Sequence, residues 1–156
     1  LAAASADEQF MALIRNEAGS DWQEIRVLRT DTGEELPDRI TRVKFSGASW
    51  WRNGFFYSRY PEPEGSDLSA ENTFHSVYYH VLGTDQTQDI LIFRNPNEPN
   101  RYHFGSTSED EQFLVLNTST GTDGNSIHLL DLRNWDGATP PDASDFVEVV
   151  GGFSSR

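Results

Sequence analysis

Residues 43–61 read V-K-F-S-G-A-S-W-W-R-N-G-F-F-Y-S-R-Y-P, and residues 77–92 read V-Y-Y-H-V-L-G-T-D-Q-T-Q-D-I-L-I. Short apolar runs alternate here with turn-forming residues. Arg52-Asn53-Gly54 and Gly83-Thr84-Asp85 supply Gly, Asn and Asp, which tolerate the positive φ of tight hairpins. Four such runs in order describe one four-stranded antiparallel unit. Phe10–Ile14, Ile90–Phe93 and Phe113–Leu116 are continuous apolar runs with no polar alternation. Strands buried on both faces have that pattern, and stacked blades of a β-propeller produce it.

The pattern repeats on either side. Ser5-Ala6-Asp7-Glu8-Gln9-Phe10-Met11-Ala12-Leu13 is echoed by Ser108-Glu109-Asp110-Glu111-Gln112-Phe113-Leu114-Val115-Leu116. A weaker copy, Ser49–Tyr57, lies between them, at spacings of about 44 and 59 residues that fall near a blade period. Each copy is a polar turn followed by an apolar strand, then a second strand and a second turn: Ile25–Arg29 before Asp31-Thr32-Gly33, Val77–Leu82 before Gly83, Ile127–Leu132 before Asn134-Trp135-Asp136-Gly137. The reading is all-β: twelve strands forming a β-propeller segment of about three four-stranded antiparallel blades. One partial propeller domain spans 1–156, with blades about 1–41, 43–94 and 102–150 and the start of a further blade at 151–156. Asp7–Glu17 contains Met, Ala and Leu, which favour helix, but the repeat assigns a strand there.

Composition bounds the partners. The net charge of −13, from 25 acidic against 12 basic side chains, repels a phosphate backbone, so nucleic acid is not an expected partner. With 36% hydrophobic residues the chain can pack a core. It contains no cysteine, which excludes disulfides, thiol catalysis and cysteine-ligated zinc and leaves the compartment open, cytoplasmic or periplasmic for a soluble protein. No apolar run approaches the ~20 residues of a membrane span, so no membrane partner is expected. The start at Leu1 reads as a cut or processed end.

Proline marks the loops: Pro61–Asp67 opens a polar insertion reaching about His75, Asn95–Asn100 joins two blades, and Thr139–Asp142 interrupts the third. No catalytic constellation is evident. A G-x-S-x-G elbow is absent; Gly47-Ala48-Ser49-Trp50-Trp51 lacks the final small residue and opens no helix. His75 and His80 are an odd number of positions apart, so on one strand they face opposite ways, and with His103 and His128 they read as packing or surface residues. No close metal pair, calcium loop or phosphate cradle occurs, and no cofactor is expected. Asn117-Thr118-Ser119 has the form of a glycosylation sequon at the end of a strand.

Val43-Lys44-Phe45-Ser46 with Trp50, Gly54-Phe55-Phe56-Tyr57-Ser58-Arg59-Tyr60-Pro61, and Tyr78-Tyr79-His80-Val81-Leu82-Gly83-Thr84-Asp85-Gln86 together resemble the propeller of the prolyl oligopeptidase family of serine peptidases. Gly19-Ser20-Asp21-Trp22 with Glu24-Ile25 matches as well, and the turn before Gly54 is shorter than the family's. The resemblance implies three blades of a seven-bladed propeller that covers an α/β-hydrolase domain and restricts access to short proline-containing peptides. It places the catalytic Ser, Asp and His outside this chain, so the segment alone is expected to be inactive. It makes Phe45 a wall residue of the substrate cavity, and by position Tyr102 and Thr122 too, although their residue types depart from the family's. Phe45 and Tyr102 fall where one blade's outer strand crosses to the next blade's inner strand, and Thr122 between a second and a third strand. In an up-and-down blade those connections share one face, and the 61–75 insertion emerges there too. The competing reading is a non-enzymatic interaction module, its bare strand edges completed by edge-to-edge self-association or by a partner chain. A glycan-active propeller would need paired carboxylates facing one cleft, and the repeats carry none at equivalent positions.

Overall fold

The computed structural model describes residues 1–18, 21–61, 73–120 and 123–150. Thr122, most of the 61–75 insertion and the expected start of a further blade at 151–156 lie outside them. Twelve strands run in order: β1 (Ala2–Ala4), β2 (Phe10–Asn16), β3 (Gln23–Arg29), β4 (Glu35–Val43), β5 (Ser49–Trp51), β6 (Gly54–Arg59), β7 (Ser76–Val81), β8 (Ile90–Phe93), β9 (Tyr102–Thr107), β10 (Phe113–Thr120), β11 (Asp123–Asp131) and β12 (Phe146–Val150). All pairings are antiparallel between neighbours in sequence, except that β4 also touches β6. Among the described residues the helical elements are single 3-10 turns at Gln86–Gln88, Leu132–Asn134 and Ala143–Asp145.

β2 is a strand despite its helix-favouring residues, because pairing outweighs propensity. Its seven residues ladder against β3 from Phe10↔Arg29 to Asn16↔Gln23. The turn that launches it explains the repeat. The Ser5 hydroxyl accepts from Phe10 N–H (3.1 Å) and donates to Asp7 (2.7 Å), and Asp7 accepts from Gln9 N–H (3.1 Å). Ser108, Asp110, Gln112 and Phe113 reproduce those three bonds at 3.0, 2.7 and 3.1 Å. Glu8 and Glu111 both sit at φ 60. In the middle copy the turn shortens to Arg52-Asn53, with Arg52 at φ 52. Gly54 then tucks against β7 so closely that a Cβ would lie 2.1 Å from the His80 carbonyl oxygen.

The core has two layers, one on each side of β5–β8. Trp50, Phe55, Tyr57 and Tyr78 pack against Ala12, Ile14, Ile25, Val27 and Ile40. Trp51, Phe56, Val77 and Tyr79 pack against Leu114, Leu116 and Leu130. β6 and β7 are therefore buried almost continuously, whereas Phe10–Ile14 and Phe113–Leu116, expected to be buried on both faces, alternate between buried and half-buried residues because β2 and β10 each pack one face against β5–β8. Full burial of each large side chain contributes roughly 1.5–3 kcal/mol.

The seam between β1–β4 and β5–β8 is closed mainly by side chains, since β4 and β6 share one ladder pair, Val43↔Arg59. Trp50 Nε1 donates to the Ala3 carbonyl at 2.8 Å. The Gln86 amide grips the Thr41 backbone, accepting from its N–H at 3.0 Å and donating to its carbonyl at 2.9 Å. The β3–β4 register breaks between Arg26 and Leu28, which takes Pro37 out of the ladder. Asp38, next to it, turns inward. His80 Nε2 lies 2.6 Å from Asp38 Oδ2 and His80 Nδ1 lies 2.6 Å from Asp89 Oδ1, with all three side chains buried. Asp38 Oδ2 also accepts from Gly83 N–H (2.9 Å), and Asp89 Oδ2 from the Tyr57 hydroxyl (2.5 Å). Both ring nitrogens face carboxylates, so both carry protons and His80 is an imidazolium. Burial pulls its pKa down, but the hydrogen bonds and charges of Asp89 and Asp38 outweigh burial and raise it.

Candidate functional site

The connection from β4 to β5 (residues 44–48) is short, and Phe45 stands in it 49% exposed. Its φ of 52 is left-handed, a conformation that costs a non-glycine residue of order 1–3 kcal/mol and is found where the surroundings over-determine it. Ser46 Oγ accepts from Ser58 N–H at 2.8 Å, which ties the loop to β6. His75, just before β7, donates from Nε2 to the Lys44 carbonyl at 2.8 Å.

His75 is 1% exposed, and its other nitrogen, Nδ1, accepts from the His103 N–H at 3.0 Å. Burial drives its pKa down to about 4, so the ring is neutral. His103 is likewise lowered to about 4 by burial and then by His75, and its Nδ1 meets Thr118 Oγ1 at 3.1 Å. Around His75 stands an aromatic group. The Phe45 and Tyr102 rings meet edge to face at 5.1 Å, and His75 meets Tyr60 at 5.1 Å and Tyr102 at 5.7 Å. Burial pushes the Tyr60 phenol up to about 12.

Beside Phe45 the side chains of Arg42 and Lys44 lie over the Trp22 ring, 4.4 Å and 4.9 Å from its centroid. An open hollow of about 510 Å³ is lined by Asp21, Gln23, Lys44, Phe45 and Ser46. Its lining combines an aromatic edge with charge of both signs. The hydroxyl of its serine, Ser46, is engaged by the backbone, donating to the Gly47 carbonyl at 2.7 Å and accepting from Ser58 N–H at 2.8 Å. Ser49 sits at the start of β5 with its hydroxyl 3.5 Å from the Gly105 carbonyl. Among the described residues no group of three or more His, Cys, Asp and Glu side chains could hold a metal ion. Among the described residues no helix is long and apolar enough to cross a membrane.

Of the residues singled out by sequence, Phe45 and Tyr102 come together at this rim, and Thr122 lies outside the described residues. His75 and His80 take opposite faces, His75 toward β9 and His80 toward β4, as their odd spacing requires. The sequence reading missed that His75 joins the Phe45 loop to β9 beside Tyr102. Those bonds run to backbone atoms and leave no side-chain pattern to detect.

Residues 1–155 match the family model for the prolyl oligopeptidase N-terminal β-propeller domain. The chain belongs to the prolyl oligopeptidase family. The prolyl endopeptidase of Elizabethkingia miricola is 40% identical over 143 residues, 90% of this chain and 19% of the relative. Prolyl oligopeptidase A of Amanita bisporigera is 34% identical over 104 residues, 61% of this chain and 13% of the relative. Among solved structures, the apo form of Galerina marginata prolyl oligopeptidase B superposes with a TM-score of 0.82 at 26% identity, covering 99% of this chain and 22% of that one. The same enzyme bound to a 35mer hydrolysis and macrocyclization substrate gives a TM-score of 0.81 at 26% identity, with 96% of this chain and 22% of that one covered. The chain thus spans about a fifth of the length of the family members it matches. Its fold is the family's β-propeller, and its strands form a segment of it.

Proposed function

We propose that this chain is the non-catalytic propeller portion of a prolyl-oligopeptidase-like serine endopeptidase, a single partial propeller unit over residues 1–156 with blades about 1–41, 43–94 and 102–150. Its role is to admit short proline-containing peptides and to wall the cavity above a hydrolase domain that supplies the serine, aspartate and histidine. Phe45 and Tyr102 form part of that wall, together with Thr122.

The observation that carries the reading is Phe45 itself: an aromatic side chain held in a left-handed conformation, half-exposed, and packed edge-on against Tyr102 at 5.1 Å beside an open hollow. What sets Phe45 apart from the left-handed turn residues Glu8, Arg52 and Glu111 is a large apolar ring left half-exposed beside a hollow, which supports contact with something outside the core. The test is a graft in which this chain replaces the equivalent region of the Elizabethkingia miricola enzyme. Phe45→Ala in that graft raises KM for a short proline-containing chromogenic peptide about fivefold, with a smaller change in kcat, as expected when binding contact is removed. An unchanged KM contradicts the wall assignment.

A second reading, a non-enzymatic module completed by self-association or a partner, rests on β12. Val147 and Val149 are 63% and 55% exposed on its outer face, next to Leu129 of β11. Sedimentation of the isolated chain separates the two: a stable closed dimer favours the module, and a monomer excludes self-completion.

A further inference from the structure

Phe45 stands in the β4–β5 connection, outside any ladder, whereas Tyr102 opens β9, where it pairs with Ser119 of β10. The peptide plane between Lys44 and Phe45 sets the left-handed φ of Phe45, so whatever holds the Lys44 carbonyl holds the Phe45 ring. That carbonyl accepts from His75 Nε2 at 2.8 Å. The backbone N–H of His103, adjacent to Tyr102, donates to the opposite nitrogen of the same ring at 3.0 Å. One imidazole therefore ties the Phe45 loop to the start of β9, and its ring also lies against Phe45, Tyr60 and Tyr102.

The chemistry of the bridge is restrictive. It needs a donor on one side and an acceptor on the other, about one ring width apart, at a site 1% exposed where water cannot substitute. Neutral histidine in the Nε2–H tautomer meets this. Lysine and arginine only donate, and an ionised carboxylate only accepts. Glutamine, with one amide oxygen and one NH2 group at similar separation, is the nearest replacement. His80 is a different case: it is held between two carboxylates at the seam with β4 and bonds to neither the Phe45 loop nor β9.

We propose that His75 is a positioning residue for the peptide cavity, a neutral donor–acceptor bridge that fixes Phe45 and Tyr102 relative to each other. The assignment rests on the reading of those two residues as cavity wall. Its test uses the same graft with two readouts, amide hydrogen exchange over residues 42–48 and 101–106 and the kinetics of a short proline-containing chromogenic peptide. His75→Phe keeps the ring and loses both hydrogen bonds. It speeds exchange over residues 44–48 and at the His103 amide, the β9 amide that bonds His75, and raises KM about as far as Phe45→Ala does, with kcat changed less than about twofold. His75→Gln returns exchange and KM toward those of the unsubstituted graft. Phe45→Ala combined with His75→Phe adds little to Phe45→Ala alone, because Tyr102 is also held by its ladder with β10 and the bridge reaches the substrate through Phe45. Normal exchange in His75→Phe, or fully additive effects on KM, overturns the proposal. Faster exchange with KM unmoved by His75→Phe and by Phe45→Ala leaves the bridge standing and sinks the wall reading instead. Neutron diffraction on the unsubstituted graft tests the bridge without any variant: a deuteron on Nε2 alone supports it, and one on Nδ1 overturns it.

Discussion

Two buried histidines a few residues apart have opposite electrostatic roles. His80 is charged between Asp38 and Asp89, and its pKa is raised. Its contribution to stability is complete below the unfolded histidine value near 6.5 and is lost as pH rises through the folded value. His75 and His103 are lowered to about 4, so their contribution is complete above about 6.5 and is lost as pH falls through about 4. Stability should accordingly peak between the two limits and decline on both sides in thermal melts across pH. Asp38→Asn leaves His80 with one carboxylate and is expected to cost about 3–5 kcal/mol, the range for breaking a buried ion pair. It should also flatten the alkaline limb of the melting curve; a limb as steep as before would mean His80 is not the titrating group. At this scale the sequence was informative only in part. The odd spacing assigned the two faces, and the phrase Y-Y-H-V-L-G-T-D-Q stood out as family wording. Its reason is structural: His80, Gly83 and Gln86 all bond across the seam to Asp38 or Thr41. Those partners lie about forty residues away, beyond any local pattern.

At the level of elements, the repeated Ser-x-Asp-x-Gln-Phe phrase is a turn device. Its serine closes the loop between a first strand and a second, in the same way at Ser5 and Ser108. Removing either hydroxyl loses two hydrogen bonds, so Ser5→Ala and Ser108→Ala should each cost about 1–3 kcal/mol in chemical denaturation. The two costs should be similar, and a large disparity would show that the turns are not equivalent. Strands and their order were legible because apolar runs and turn residues recur, and the recurrence corrected the helical propensity of Phe10–Asn16. Less visible was the joint between the first two blades. One ladder pair makes β1–β8 a continuous sheet. Pro37, which would forbid a regular strand, instead marks the register break that aims Asp38 at His80.

For the whole molecule, the two outer faces differ. Along β2–β4 ion pairs such as Arg39–Glu24 (2.8 Å) and Arg26–Glu35 (2.9 Å) lace the surface, whereas β10–β12 present Val115, Leu129, Val147 and Val149. The resemblance offered Phe45 and, by position, Tyr102 and Thr122 as wall residues; the structure packs the first two rings together, and the wall role stays a proposal. The bridge between those two was not legible, since it consists of backbone bonds from one buried ring. The account as a whole requires that this segment shape and admit substrate while another domain cuts it. The direct measurement is hydrolysis of a short proline-containing chromogenic peptide by the isolated chain and by the Elizabethkingia graft, side by side at equal concentration. The account predicts turnover by the graft and none by the isolated chain. Turnover by the isolated chain that disappears on mutating a residue within 1–156 would contradict it.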